Sequence, residues 1–462
     1  MKRSAAVQQC RRAAVQQCCS AAVQQCCRAV VQQRCSAAVR RCIAAILICT
    51  CAVASRAHGQ DITALAPAIE ANLQKAVIAF WYPRAIDREH GGYLIDFDAT
   101  GQFKGQGPKM IVTQARMLWL SARLMREGRA DDVVREAARV GYRFLMDRMW
   151  DREHGGFYWE VDRAGTTVVA PHKHLYGQAF GLYALSEYAI ASGDAKVLND
   201  AEKLFALLDE RAHDRQFGGY REFFARDWSP APPDVTPYLG GTADLKLMNT
   251  HLHLMEAITA FYRASHSPLA AQRLAELITI QSNTVVRKAD GACTDQYQQD
   301  WTPILTAETS RASYGHDLEN IWLLVDAHEA LGLPVAPLGD LFKTLFAYSL
   351  RHGYDHDRGG FYDSGPLGAD ADRRNKTWWV QAESLVSALT MWRLTRDTIY
   401  AKVFAETWRF VDEKQTDREH GEWYETVTPD GEGLGDKAHR WKAGYHNGRA
   451  LLECLRLLKT LQ

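Results

Sequence analysis

The sequence predicts an all-α fold made of six helical hairpins, and three observations support this prediction. A charged hexapeptide ending in glycine occupies 87–92, recurs letter for letter at 151–156, and returns in looser form at 214–219, 355–360 and 417–422. The spacing of adjacent copies is nearly constant, with 64 residues from 87 to 151, 63 from 151 to 214, and 62 from 355 to 417. Helical periodicity fills the intervals between the copies, which is typical of a repeat architecture.

Each unit consists of a helix, a turn, a short strand and a second helix. Glycine at the turn permits positive φ, and aromatic-rich stretches such as 93–97 and 157–161 favour a small β-hairpin. The gap from 214 to 355 fits two units plus an insertion, with a degraded sixth copy at 290–297. The predicted helices are 64–82, 109–127, 131–149, 173–192, 195–212, 244–266, 269–286, 312–331, 337–352, 376–396, 398–414 and 442–460.

Six helical hairpins can stack as an open solenoid or close into a ring of six inner and six outer helices. The second helix of each unit is the more apolar and carries small residues, such as Gly177 and Gly181 in one unit and Ala382 and Ser384 in another. We therefore assign the second helices to the inner ring and 59–462 to one domain. The hexapeptide is interpreted as punctuation between units and not as a catalytic motif.

Charge and cysteine separate the first sixty residues from the rest of the chain. Nine of the 55 basic residues and none of the 55 acidic residues precede Asp61, so the remainder holds 46 basic residues against 55 acidic ones. An acidic domain has no electrostatic footprint for nucleic acid, and we predict no such partner. Nine of the 11 cysteines lie at or before Cys51, and the early ones belong to a low-complexity repeat of AAVQQC without metal-ligand spacing.

A secretory signal is predicted at the end of this extension. Two arginines at 40–41, an apolar run at 43–54 and small residues up to Ala57 form the pattern. The segment 1–58 is thus expected to be a cysteine-rich extension with a signal peptide, and the mature protein to begin near His58. The run is too short to span a bilayer comfortably, so we predict a periplasmic or secreted protein without stable membrane insertion, or a cytoplasmic one if the extension is misassigned.

Polar and aromatic residues gather in the first turns of the inner helices, whereas the rest of each helix is apolar. If the ring closes, all six sets meet at one mouth of the barrel. Six helix amino termini direct partial positive charge to the same place, which favours a developing anion. The six sets are the segments 114–116, 174–178, 249–253, 313–319, 378–383 and 444–449.

These segments resemble the N-acylglucosamine 2-epimerase superfamily and, within it, the cellobiose 2-epimerases. The motifs are QARMLW, YGQAFGLYALSEY, MNTHLHLMEAITAFYR, SYGHDLE, WWVQAE and WKAGYHNGRA, one per unit from Asp61 to the end of the chain. The resemblance implies an (α/α)6 barrel with inner and outer rings. It also implies C2 inversion of the reducing-end glucose of β-1,4-linked disaccharides without a metal or organic cofactor.

The resemblance assigns roles to nine residues. By position, His316 and His446 match the acid/base pair, and Glu319 matches the partner of the first histidine. Gly444 departs from the motif, where we expect proline or another residue. The matches to substrate-contacting residues are Arg116, Asn249 and His253 for sugar oxygens, and Tyr176, Trp379 and Trp441 for the walls of the sugar site.

The chemistry of C2 inversion fits these residue types. An open-chain aldose must lose the C2 proton and regain one from the other face, and two histidines titrating near neutrality suit that task. Arg116, Asn249 and the helix termini could stabilise the enediolate. His316 and Glu319 lie three apart on one helical face, so the carboxylate could orient the ring.

Other functions remain open at this stage. A monosaccharide such as mannose or N-acetylglucosamine could be the substrate, or the reaction could be aldose–ketose isomerisation. A glycoside hydrolase would need two opposed carboxylates, and a sugar-binding toroid is the non-enzymatic alternative. The segment Asn249-X-His251-X-His253 lacks the spacing of a helical metal site, so His251 is interpreted as structural. Trp378 is expected in the core, because adjacent residues should not both face the mouth. We expect a small-molecule sugar partner and a monomer or weak dimer.

Overall fold

The computed structural model describes residues 61–461 except Pro83, Gln106 and Pro233, and within this range twelve helices form six hairpins. The cysteine-rich extension, the signal peptide and the boundary at 58 lie outside the described residues and stay predictions. The outer helices are α1 (62–81), α3 (132–149), α5 (Ala195–Arg211), α7 (268–284), α9 (336–352) and α11 (398–415). The inner helices are α2 (Ile111–Arg126), α4 (Leu175–Ser192), α6 (Met248–Ser265), α8 (Tyr314–Ala330), α10 (Trp378–Thr395) and α12 (Tyr445–Leu461).

The ring is closed, which decides against the open solenoid. Each inner helix packs on the next, and α12 packs on α2. The first and last units are joined by buried hydrogen bonds: Asn72 Nδ2 donates to Thr416 Oγ1 at 2.8 Å, Trp423 Nε1 donates to Asn72 Oδ1 at 2.9 Å, and Trp81 Nε1 donates to Glu422 Oε2 at 2.8 Å. The predicted (α/α)6 barrel is confirmed. None of the helices in the described part of the chain is long and apolar enough to cross a membrane.

Short strands join neighbouring units at one end of the barrel. The strand before an inner helix commonly pairs antiparallel with a strand from the following unit, as β1 does with β2, while β2–β3 and β13–β14 form the predicted local hairpins. The strands are β1 (Lys109–Met110), β2 (Glu160–Val161), β3 (Val168–Ala170), β4 (Lys173–His174), β5 (Phe223–Phe224), β6 (Lys246–Leu247), β7 (Val286–Arg287), β8 (Ala292–Cys293), β9 (Gln296–Tyr297), β10 (Arg311–Ser313), β11 (Ser364–Pro366), β12 (Lys376–Thr377), β13 (Thr426–Val427) and β14 (Gly433–Leu434).

The hexapeptide is a structural turn, as its spacing predicts. In the first copy Asp87 and Gly92 are hydrogen-bonded through the backbone at 3.0 Å, and Gly91 and Gly92 have φ of 83° and 69°. The carboxylate of Asp87 accepts hydrogen bonds from the backbone N–H groups of Glu89 and His90 in the same turn, and from the ammonium of Lys109 at 2.8 Å. The same aspartate–lysine pairing recurs at Asp151–Lys173, Asp214–Lys246, Asp355–Lys376 and Asp417–Lys437.

The degraded sixth copy is present as a turn without its ion pair, and it begins at Arg287 and not at the predicted Asp290. Val286 pairs with Cys293 across this turn, so Arg287 stands at the position of the aspartate and Gly291 at that of the first glycine. The residue before the inner helix that would supply the lysine is Ala312. Both partners of the pair are therefore absent together.

We expect the barrel to unfold in one cooperative transition, because the last unit is bonded to the first and no half of the ring has a complete core. Differential scanning calorimetry of the purified protein measures this. Two well-resolved transitions, or a fragment such as 61–240 that folds alone, would contradict a single closed domain.

Candidate active site

A cavity of about 220 Å³ lies at the amino-terminal ends of the inner helices, where the sequence predicts the site. All nine predicted site residues line this one cavity. The lining consists of Arg116, Tyr176, Asn249, His253, His316, Glu319, Trp379, Trp441 and His446, together with Leu239 and Trp378.

The repeat explains why these side chains converge. One residue near the start of each inner helix holds the backbone of a turn: Gln114 accepts the N–H of Tyr93 at 2.8 Å, and His251 accepts that of Tyr220 at 2.9 Å. We call this set the turn-holding residues; the others are Gln178, Asp317 and Gln381. The corresponding residue of α12, Asn447, instead donates its Nδ2 to the side chain of Glu422 in the last hexapeptide at 2.6 Å, and we include it in the set by position. The side chains two positions later form a layer across the barrel: Arg116, Phe180, His253, Glu319, Glu383 and Arg449.

Arg116 is fixed before any substrate binds. Its guanidinium donates to the Tyr176 hydroxyl and to the Trp441 carbonyl, both at 3.1 Å, and lies 4.3 Å from the ring centre of Phe180. The residue is 4% exposed, so its charge acts in a poorly solvated place. A buried, immobilised cation of this kind suits an oxygen that gains negative charge during a reaction.

His446 has a carboxylate partner. Its Nδ1 lies 2.7 Å from Glu383 Oε1, and the same carboxylate accepts Trp322 Nε1 at 3.0 Å and Arg449 Nη2 at 2.8 Å. An ionised carboxylate can only accept hydrogen bonds, so Nδ1–H of His446 donates to Glu383 when that carboxyl is ionised. Nε2 therefore keeps its lone pair. Burial, with Arg116 and Arg449 nearby, lowers the pKa of His446 well below its usual value.

His316 makes no side-chain hydrogen bond within the described residues. Its ring centre lies 4.8 Å from that of Trp379, and burial followed by the charge of His253 lowers its pKa to about 3. The expectation that Glu319 is its partner is wrong in this structure: Glu319 Oε1 accepts Arg449 at 2.5 Å, and Oε2 is buried without a partner. The i, i+3 spacing brings the two residues to one cavity but does not bond them.

His253 has the carboxylate partner that was predicted for His316. Its Nδ1 lies 3.0 Å from Glu256 Oε2, and the carboxylate of Glu256 also accepts Tyr445 and Arg449. Desolvation lowers the pKa of His253, against an opposing effect of Glu256. The site thus contains two histidine–carboxylate pairs and one histidine without a partner.

Aromatic rings form the walls of the cavity. Trp378 and Trp379 both line it, so the prediction that Trp378 is only a core residue is wrong. Their ring centres lie 6.4 Å and 5.8 Å from that of His446. Successive helical residues differ by about 100° in direction, so two neighbours at a helix start can border one cavity from different sides. Trp441 lies 6.4 Å from Tyr176, ring centre to ring centre.

Gly444 does not disturb this wall. A Cβ atom at that position would come within 2.6 Å of Trp81 Nε1, so the close approach of the chain to Trp81 requires glycine. Trp441 keeps its place in the cavity.

Asn249 offers an unpaired acceptor to the cavity. Its backbone N–H donates to Asp295 at 2.9 Å, which holds the first turn of α6, while its side-chain Oδ1 is buried without a partner. A buried carbonyl oxygen without a donor is costly, and a sugar hydroxyl would satisfy it.

Glu319, Glu383 and His446 each place one ligand atom within 4.8 Å of the others, a spacing that could hold a metal ion. The guanidinium of Arg449, however, donates to both carboxylates and supplies the positive charge at this place. The expectation of a reaction without metal or cofactor stays a prediction, and activity after exhaustive treatment with EDTA would test it.

Three functional candidates were missed by the sequence reasoning: Glu256, Arg449 and Tyr445. The sequence contains a pattern that indicates two of them, Glu256 and Arg449. His253 and Glu256 have the same i, i+3 spacing as His316 and Glu319, and Arg449 follows Asn447 as Arg116 follows Gln114. Aligning the repeats at the turn-holding residues would have placed Arg449 inside the barrel. Glu383 lies in the predicted segment 378–383, but the sequence does not indicate that it bonds a histidine.

His251 is expected to tolerate glutamine but not alanine. Its Nδ1 bonds the Leu247 carbonyl at 2.7 Å and its Nε2 accepts Tyr220 N–H, a position where three other units use glutamine. We expect His251→Gln to keep the melting temperature and activity close to wild type. His251→Ala should lose about 1–3 kcal/mol of stability through the unpaired buried N–H, with the remaining folded protein active. Catalysis lost in folded His251→Gln would contradict the structural role.

Comparisons with known proteins agree with the fold and the site. The model of the N-acylglucosamine 2-epimerase (GlcNAc 2-epimerase) family matches residues 91–450. A cellobiose 2-epimerase of Bacteroides fragilis is 30% identical over 392 residues, covering 84% of this chain and 97% of that protein. The solved cellobiose 2-epimerase of Spirochaeta thermophila is 33% identical with a TM-score of 0.78, covering 87% of this chain and 98% of its own.

A D-mannose isomerase of Marinomonas mediterranea is 26% identical over 411 residues, covering 85% of this chain and 97% of that protein. The family model extends over all six inner helices, from the first hexapeptide turn into α12. The predicted carbohydrate epimerase is thereby confirmed at the level of the family. The chain belongs to the N-acylglucosamine 2-epimerase family.

Proposed function

We propose that the protein inverts C2 of the reducing-end glucose of β-1,4-linked disaccharides, converting cellobiose to glucosyl-mannose and lactose to epilactose. The observation that carries this proposal is the placement of His316 and His446 beside one indole, that of Trp379, in a cavity with a fixed arginine. The cellobiose 2-epimerases among its relatives support the choice of substrate.

The proposed reaction starts from the open-chain aldose. One histidine takes the C2 proton as a neutral imidazole, and the electron pair moves into an enediolate. The other histidine, which has taken up a proton from solvent, returns that proton to C2 from the opposite face and becomes neutral. The lowered pKa values keep an imidazole neutral near pH 7, which suits the histidine that accepts the proton, so the other histidine must gain its proton for the return step. Arg116 and the amino termini of the inner helices stabilise the negative charge on O1 and O2.

Glycoside hydrolysis is disfavoured by the arrangement of the carboxylates. Glu319 and Glu383 both accept hydrogen bonds from Nη2 of Arg449. They therefore stand side by side, whereas a glycosidase needs carboxyl groups on either side of the scissile bond, about 5–9 Å apart. The glycosidic bond is expected to survive the reaction.

A monosaccharide substrate is the second candidate, either for 2-epimerisation or for aldose–ketose isomerisation. The cavity of about 220 Å³ is small, below the ~300–1,000 Å³ of typical ligand pockets, and would hold the reacting sugar ring with the second ring of a disaccharide outside it. The relative named D-mannose isomerase also supports this candidate.

Incubation with cellobiose, lactose, mannose and N-acetylglucosamine, with products resolved by chromatography, tests the two candidates. Conversion of cellobiose and lactose with higher kcat/KM than the monosaccharides supports the disaccharide proposal. Conversion of mannose alone supports the second candidate. A ketose as the main product would replace epimerisation by isomerisation.

We also propose that the protein is exported, on the strength of the apolar run at 43–54 between two arginines and small residues. Expressed in a bacterial host with its own export system, the full chain should yield a periplasmic or secreted form whose amino terminus lies near His58. Amino-terminal sequencing measures this. An intact segment 1–50 on the active protein inside the cell would contradict export.

A further inference from the structure

We infer that Arg449 is a positioning residue of the active site: its guanidinium holds the carboxylates behind His446 and His253 as oriented anions, so that both rings keep their Nδ1–H and present Nε2 as the basic nitrogen. The inference rests on the proposed proton transfer. The inference goes beyond that proton transfer, because it assigns a role to a single cation that does not line the cavity and that acts through other side chains.

The contacts of Arg449 carry the inference. The residue is 1% exposed. Nη2 donates to Glu319 Oε1 at 2.5 Å and to Glu383 Oε1 at 2.8 Å, and Nη1 donates to Glu256 Oε1. One guanidinium on α12 therefore binds carboxylates from α6, α8 and α10. Its flat face is also 4.7 Å from the centre of the Trp322 ring, which fixes its plane.

Two of these three carboxylates also form a hydrogen bond with a histidine. Glu383 bonds His446 at 2.7 Å, and Glu256 bonds His253 at 3.0 Å. Neither Glu383 nor Glu256 lines the cavity, whereas both histidines do. Arg449 itself is absent from the cavity lining, so a role in catalysis must be exerted through these pairs. Arg449 and His446 share Oε1 of Glu383, whereas at Glu256 Arg449 binds Oε1 and His253 binds Oε2. A carboxylate held in place in this way also holds the ring that it bonds.

The charge balance explains why one cation matters. Three buried carboxylates around one guanidinium cannot all be ionised at low cost. Burial raises the pKa of Glu256, but the charge of Arg449 and the bond from His253 outweigh it and lower the pKa to about 2. Burial and repulsion from Glu383 raise the pKa of Glu319 well above its usual range. Glu319 is therefore the carboxyl that stays protonated.

Glu383 lies between these extremes. Burial raises its pKa, and Arg449 opposes the rise. Without the cation the pKa of Glu383 would rise further, so the carboxyl would ionise at a higher pH than in the wild type. The titratable and charged groups around Arg449 come from all six inner helices. They are Arg116, Arg123 and Arg126 on α2, Tyr183 and Glu187 on α4, His253, Glu256 and Arg263 on α6, His316, Glu319, Asp326 and Glu329 on α8, Glu383 on α10, and Tyr445, His446, Glu453 and Arg456 on α12.

The test compares Arg449→Met with Arg449→Lys in the whole protein. For Arg449→Met we expect kcat at pH 7 to fall at least tenfold, while KM stays within about threefold of the wild-type value. The acid limb of the plot of kcat/KM against pH should move to higher pH by at least one pH unit. Activity should recover as the pH rises, because Glu383 then ionises without help. Arg449→Lys keeps the charge and should return the acid limb towards wild type.

A merely structural role of Arg449 would lower activity by the same factor at every pH. The inference is therefore overturned if folded Arg449→Met has the same acid limb as the wild type. If Arg449→Met does not fold, the double variant Arg449→Met, Glu256→Gln removes one cation and one anion together. It should fold and still show the shifted limb, because Glu383 again lacks its cation. An unmoved limb there overturns the inference equally.

Thermal stability separates this inference from the proposed function. In the wild type the pKa of Glu256 is lowered to about 2, so its carboxylate contributes stability that is present above its unfolded pKa and lost as the pH falls. Arg449→Met removes part of that contribution. We expect the difference in Tm between wild type and Arg449→Met to grow from pH 4 to pH 7. A growing difference without activity on any sugar would refute the proposed function alone. A constant difference would refute the role of Arg449.

Discussion

Replacing His316 or His446 by alanine is expected to abolish net C2 epimerisation, with a loss of at least ~10²–10⁴ in kcat. Inversion needs a base on one face of C2 and an acid on the other, so neither histidine can replace its partner. Both residues border the cavity beside Trp379. The measurement is the initial rate of product formation from each epimer, with circular dichroism to confirm that the variants fold.

Deuterium oxide gives this experiment a second readout. Wild-type turnover should place deuterium at C2 of the product, because the abstracted proton exchanges with solvent on an imidazole. One single variant should still exchange the C2 hydrogen of one epimer without inverting it, since its remaining histidine can remove and return a proton on its own face. That asymmetry would assign each histidine to glucose or mannose.

His253 provides the matched comparison. It lines the same cavity and has a carboxylate partner like that of His446. If His253 contacts a sugar oxygen and moves no proton from C2, His253→Ala should raise KM and retain exchange with both epimers. Full epimerase activity in His316→Ala or His446→Ala would refute the two-histidine mechanism. Loss of all exchange in His253→Ala would instead place that residue in the proton transfer.

The architecture could be predicted from the sequence because the repeat consists of residues whose turn structure depends on local contacts. The hexapeptide needs its aspartate for the turn and for the lysine 22 residues later in the first copy, and its glycines for positive φ. A constant spacing of such turns defines the hairpins. Whether the ring closes could not be derived from the spacing, because closure depends on contacts such as Asn72 with Thr416, 344 residues apart.

The lining of the site was predicted better than its bonding. Position along each inner helix decides which side chains reach the cavity, and that position is visible in the sequence. Which carboxylate meets which histidine depends on the separation and rotation of neighbouring helices. Glu383 and His446 are 63 residues apart on α10 and α12, so local spacing pointed to Glu319 and His316 instead. A buried network between helices has no periodic signature.

Replacing Glu383 by glutamine is expected to lower kcat by ~10²–10⁴ with little change in KM. Glu383 accepts three donors, from His446, Arg449 and Trp322. An amide keeps the size but has one acceptor oxygen and one NH₂ group, so at least one of the three donors must face another donor. The variant also lacks the negative charge that stabilises the imidazolium of His446 when it holds the C2 proton, as with the aspartate of a serine-protease triad.

Trp322 allows the two effects of this substitution to be separated. Trp322→Phe removes one of the three donors and leaves the charge of Glu383 intact, so we expect its kcat to stay within about tenfold of wild type. The double variant Trp322→Phe, Glu383→Gln removes the conflict between donors but still lacks the charge. If it remains as slow as Glu383→Gln, the charge behind His446 is what the reaction requires. If the double variant recovers to the rate of Trp322→Phe, the orientation of the His446 ring alone is sufficient. A wild-type kcat in the single variant Glu383→Gln would show that His446 acts without its carboxylate.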